Sequence, residues 1–181
     1  MVPPDYNDTL EIPGATVTIR TMQPEDREIE QRFIRGLSEQ SRYYRFHSAL
    51  KELSPYMLER FTHVDYPDEM AIIATVPEGE GEIQIGVARY ARKPGSHTAE
   101  IAVVVADAWQ GLGVGTRLLV DLRRLAIGAG IRQVEASVLP ENRRMLGLAR
   151  ELGFSLKSLK PADYATIELG KELDSGEQGN D

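Results

Sequence analysis

The residues from Glu100 to Gly115, EIAVVVADAWQGLGVG, combine types and spacings suited to holding an anion. The apolar run from Ile101 to Ala106 contains three successive valines, whose β-branched side chains favour a buried strand. A short turn leads into Gln110-Gly111-Leu112-Gly113-Val114-Gly115. Leu118, Leu119, Leu122 and Leu125 then recur at helical spacings. A helix start carries unpaired N–H groups and the positive end of the helix dipole, and glycines permit close approach or a positive φ. Together these make a phosphate cradle from main chain alone. Two common cradles are excluded by spacing. A P-loop needs Lys-Ser or Lys-Thr after its second glycine, and a dinucleotide fingerprint needs a third glycine where Thr116 or Leu118 stands.

The elements that must position this cradle follow from periodicity. Thr16 to Arg20 alternates as a first strand, after an N-terminal arm or edge segment over residues 1–15. Pro24, Glu25 and Asp26 open a helix that continues through Ile29, Phe33, Ile34 and Leu37, and Ser54-Pro55 opens another. Met70–Val76 and Ile83–Ala91 read as a hairpin, and Thr98–Ala106 as the next strand. The helix after Gly113 stops near Gly130. Gln133–Leu139 then forms a strand parallel to its predecessor through a right-handed crossover. Asn142 begins a helix that ends at Gly153, and a terminal hairpin spans Phe154–Leu159 and Tyr164–Leu169. Residues 171–181 read as a disordered acidic tail.

Composition narrows the function classes. At 181 residues the chain suits one domain, and a net charge of −7 argues against general nucleic-acid or acidic-membrane binding. There is no cysteine, so thiol catalysis, disulfides and thiolate metal sites are excluded. His47, His63 and His97 have no metal-ligand spacing, and no metal is expected. The absence of a leader pattern and of a long apolar run gives a cytoplasmic default.

Two motifs carry a family resemblance. Gln110, Gly113 and Gly115 fill the pattern Q/R-x-x-G-x-G/A, which resembles the acyl-CoA pyrophosphate loop of the GNAT superfamily of N-acyltransferases. Asn142, Met145, Leu148, Leu152 and Gly153-Phe154 resemble that family's helix after its fifth strand. The resemblance covers roughly residues 16–170. It implies an α/β (α+β) GNAT fold: a mixed, mostly antiparallel sheet with helices on both faces, splayed between the fourth and fifth strands counted from Thr16. It implies acetyl-CoA as cosubstrate, its pyrophosphate on the N–H groups of Gln110, Gly111, Leu112, Gly113, Val114, Gly115 and Thr116. The pantetheine arm is expected along Val103, Val104 and Val105, with Asn142 and Met145 beside it. The alternative for Asn142 is a helix cap.

Glu100 is the expected general base, by its place at the start of the cofactor strand. By position it also matches the glutamate of bacterial protein lysine acetyltransferases of this type. Its alternative is an ordinary strand-end carboxylate, and Glu135 is a second candidate. Backbone N–H near Val103 is expected to hold the oxyanion. With no cysteine for an acyl-enzyme, direct attack by a primary amine, a small molecule or a protein lysine, is the consistent mechanism. A non-catalytic acyl-CoA-binding module is the reading from another class, and a homodimer is compatible with either. The family's general-acid tyrosine position holds Ala149 here, with Tyr164 as a candidate substitute. The Arg- and aromatic-rich segment Arg32–Phe46 resembles the one preceding the acceptor groove in bacterial protein lysine acetyltransferases, and its alternative is a helix face with packed rings and solvated arginines.

Overall fold

The computed structural model describes residues 4–158 and 167–173. The chain opens with a hairpin, β1 (Asn7–Ile12) and β2 (Ala15–Thr21), followed by three helices, α1 (Arg27–Gly36), α2 (Glu39–Phe46) and α3 (Pro55–Thr62). The strands β3 (Glu69–Glu78), β4 (Gly81–Arg92) and β5 (Thr98–Val105) form an antiparallel meander. Then come α4 (Val114–Gly128), β6 (Gln133–Val138), α5 (Arg143–Glu151), β7 (Ser155–Ser158) and β8 (Ile167–Glu172). All eight strands join one sheet in the order β1-β2-β3-β4-β5-β6-β8-β7. β5 and β6 are its parallel pair, as a strand-helix-strand crossover demands.

Three expectations are corrected. Residues 7–12 pair in full register with β2, so the N-terminal arm contains an edge strand. The Arg- and aromatic-rich segment contains a separate helix, α2, because Leu37 leaves the helical region at ψ 147° and the Ser38 hydroxyl re-caps the chain on the Ser41 N–H. Lys171 and Glu172 belong to β8, and Leu173 is buried in the core, so the domain runs past residue 170. Residues 174–181 lie outside the described residues.

Strand alternation divides the core in two. Ala99, Ile101 and Val105 of β5 pack with Leu118, Leu119 and Leu122 of α4 and with Leu146 and Ala149 of α5. Val104 points the other way, to Phe33, Ile34 and Leu37 beside Ala71, Ile73 and Val87. Helices therefore cover both faces. α4 lies close on the sheet because β4 offers Gly86: a Cβ there would meet Leu118 Cδ1 at 3.0 Å and the Val104 carbonyl at 3.4 Å.

That contact generates a stability prediction. Gly86→Ala should force Leu118 and α4 outward and destabilise the fold by roughly 1–3 kcal/mol, the usual range for overpacking. A urea midpoint equal to wild type would show that the helix yields without cost.

Candidate acyl-transfer site

The sheet opens where the site is needed. β5 and β6 pair at Thr98–Gln133, Ala99–Val134 and Glu100–Glu135, and nowhere beyond. From Ile101 onward β5 keeps β4 on one edge and has no strand on the other. The Ala106 N–H bonds the Ile85 carbonyl on the β4 side, so alternation turns the N–H groups of Val103 and Val105 toward the cleft. The Val105 carbonyl is taken by Gln110 Nε2 at 2.9 Å, which leaves the Val103 edge for a ligand.

A cavity of about 430 Å³ fills this opening. Its wall includes Val103, Val104, Val105, Gln110, Gly111, Gly113, Gly115, Thr116, Asn142 and Met145, so most of the expected binding residues meet there. Leu112 and Val114 are not part of the wall. Leu112 is exposed, and Val114 is 1% exposed in the core, so only its main chain can serve.

The end of α4 fits an anion. Side chains cap α2, α3 and α5 through Ser38, Ser54 and Asn142, whereas α4 starts at Gly113 with no side-chain cap and no acidic residue in its first turn. Its first N–H groups stay open under the positive end of a 15-residue helix. Gly111 and Gly113 have φ of 78° and 87°, which side-chain-bearing residues rarely adopt. Gly115 is different: a Cβ there would make ordinary contacts with Val105 and Leu148. Arg143 and Arg144 add positive charge to the wall.

The Asn142 Oδ1 accepts the Met145 N–H at 3.1 Å and caps α5, while the residue lines the cavity. Gln110 is a clamp more than a phosphate ligand. Its Nε2 reaches Val105 and Ser41, and its Oε1 accepts from Arg144 at 2.6 Å.

Glu100 does not line the cavity. It lies exposed at the closed end, on the last residue where β5 and β6 are paired, about 10 Å of strand from Val103. Glu135 is its register partner and forms an ion pair with Lys93. Ala149 is buried in the core and does not reach the cavity, and Tyr164 lies outside the described residues.

Sequence reasoning missed the contribution of α2, which places Ser41, Tyr44 and Arg45 in the wall. Arg45 is not solvated as expected. Its guanidinium stacks 4.9 Å from the Phe46 ring centre, and Arg89 stacks 4.3 Å from that of Phe61. Among the described residues no hydrogen bond or ion pair engages Arg45. Burial and the neighbouring Arg89 push its pKa down to about 10, opposed by Glu30 and Glu100. Glu30, 2% exposed, is pushed up by burial even though Gln84 donates to it.

A second missed feature holds α2 in place. Asp107, at the end of β5, accepts from the Ser38 N–H at 2.9 Å, the Ser38 hydroxyl at 2.7 Å and the Ser41 hydroxyl at 2.8 Å. Partial burial opposes its charge, but the donors from Ser38 and Ser41 outweigh it and hold the carboxyl below its usual range. The signal was a serine pair three apart in a helix start, with an acid far along the chain.

The sheet thus parts beside a glycine turn that leads into a helix start with no side-chain cap. The family model described as the Acetyltransferase (GNAT) family matches residues 33–154. An acetyltransferase of Pseudomonas aeruginosa is 39% identical over 142 residues, covering 78% of this chain and 76% of that protein. The chain belongs to the GNAT acetyltransferase family. Acetyltransferase Pat of Mycolicibacterium smegmatis is 34% identical over 117 residues, which cover 64% of this chain and 34% of that longer protein. The solved GNAT domain of S. lividans PAT superposes with a TM-score of 0.85 at 29% identity, covering 96% of this chain and 100% of that domain. No described helix is long and apolar enough to cross a membrane. Among the described residues no group of three His, Cys, Asp or Glu is placed to hold a metal.

Asp107 yields a pH prediction. A carboxyl with a lowered folded pKa stabilises the fold above its unfolded value, about 3.9, and loses that contribution as pH falls through the folded value. Asp107→Asn should therefore flatten the loss of melting temperature below about pH 4. Acid profiles of equal slope would show that the serine contacts carry no linkage.

Proposed function

We propose that the chain is an acetyl-CoA-dependent N-acetyltransferase acting on a primary amine by direct attack in a ternary complex. The observation that carries this reading is the meeting of the open Val103 edge, the uncapped α4 start and Asn142 in one cavity. The cosubstrate's pyrophosphate sits on the first N–H groups of α4, and its pantetheine arm adds to β5 as a strand would. The Val103 N–H then points at the thioester carbonyl and holds charge developing on its oxygen.

The amine must lose a proton. An ordinary lysine amine, at about 10.4, lies roughly 4 kcal/mol from its neutral form near pH 7.4. Glu100 takes that proton, and its distance along β5 from Val103 calls for a bridging water. Its exposure on the face away from α4 leaves the amine an open approach. The acceptor we propose is a protein lysine, supported by the resemblance of Glu100 and of the segment Val138–Met145, VLPENRRM, to the lysine-modifying members of the family.

Acetyl-CoA at about 100 times its dissociation constant should add roughly 2.7 kcal/mol of stability and raise the melting temperature. Glu100→Gln should keep that shift and lose roughly 10²- to 10⁴-fold in kcat near neutral pH, while Glu135→Gln stays close to wild type. Full turnover by Glu100→Gln in acceptor-dependent release of CoA would assign the base elsewhere.

A further inference from the structure

A sulfur that leaves with a growing negative charge is helped by a hydrogen-bond donor beside it. The helix position that other members fill with tyrosine is Ala149, 1% exposed beneath α5 and outside the cavity wall. Three hydroxyl-bearing residues do line that wall, Ser41, Tyr44 and Thr116. Ser41 already donates to Asp107, and Thr116 stands in the first turn of α4, at the phosphate end.

Tyr44 remains. It reaches the cavity from α2, across the sheet from α5, and it also borders an adjoining depression with Glu39, Gln40, Tyr43, Leu139 and Glu141. Its hydroxyl accepts from Gln40 Nε2 at 3.1 Å and donates to the Glu141 carbonyl at a long 3.3 Å. The first bond aims the oxygen, and the second is weak enough to exchange for a better acceptor.

We propose that Tyr44 donates a hydrogen bond to the sulfur as the thioester C–S bond breaks, a catalytic role that rests on the acyl-transfer reading above. The amine lone pair forms the C–N bond, and the C–S pair leaves on sulfur. The proton stays on the phenol, and only its hydrogen bond passes to the sulfur. The thiolate takes a proton from water as it departs. A hydrogen bond to a charged acceptor is stronger than one to a carbonyl, so the phenol gains as the charge grows.

The test varies the leaving group. Wild type, Tyr44→Phe and Gln40→Leu are assayed with acetyl-CoA, S-acetylpantetheine and the acetyl thioester of an arylthiol, whose thiolate needs no help to leave. Tyr44→Phe should lose on the order of tenfold or more in kcat with the first two donors. It should stay within about twofold of wild type with the aryl thioester, at unchanged KM for acetyl-CoA. Gln40→Leu, which keeps the ring and loosens its hydroxyl, should show the same donor dependence more weakly. Full activity of Tyr44→Phe with acetyl-CoA, or an equal loss with all three donors, would overturn the assignment. A wild-type chain that turns over no donor with any amine would instead remove the acyl-transfer reading, and this inference with it.

Discussion

Two parallel strands that pair for three residues and then part leave a row of backbone N–H and C=O groups with no partner. In a folded interior such groups are costly unless something bonds them. Here β4 satisfies one edge of β5, and Gln110 satisfies the Val105 carbonyl on the other. What stays open is a short edge around Val103, where the proposed pantetheine arm would add as a strand. Everything else in the site depends on that separation. It admits the cavity and sets the α4 start at one end, with Glu100 at the other, where pairing resumes.

The separation has to be held against collapse, and the helices on the two faces do this in different ways. On one face α4 and α5 are held by apolar packing, with Gly86 letting α4 approach the sheet closely. On the other, α2 is docked largely by polar contacts. Asp107 takes three hydrogen bonds from Ser38 and Ser41, and Tyr44 reaches across the cleft to Glu141. Phe46 adds a ring stacked on Phe61, so this eight-residue helix is attached by polar and aromatic contacts together. The polar attachment also ties the residues above the cleft to the loop that begins the glycine-rich turn.

The glycine turn, the strand before it and the parallel pairing of β5 with β6 were legible because each depends on local chemistry, whereas the splay was implied by the family resemblance alone. Glycines stood where positive φ was needed, valines marked the strand, and a helix start followed directly. The role of α2 was not legible. Its serines, Tyr44 and Arg45 read as a basic, aromatic surface segment until the fold brought Asp107, Glu141 and Phe61 to them from distant parts of the chain. Arg45 shows why: its guanidinium lies over the ring of its neighbour Phe46, but only the fold brings the Phe61 ring within 6.0 Å of it and leaves it half-buried. β1 was missed for a similar reason. An edge strand with one covered face and prolines before it carries weak alternation, and its pairing with β2 decides its structure.

The most direct test of the account is a calorimetric titration of the folded chain with acetyl-CoA. It predicts saturable binding at one site per chain, competed by CoA and weakened by Gly113→Val, which forces a branched side chain into a left-handed backbone. No detectable binding up to about 1 mM, the weak end of specific recognition, would contradict it.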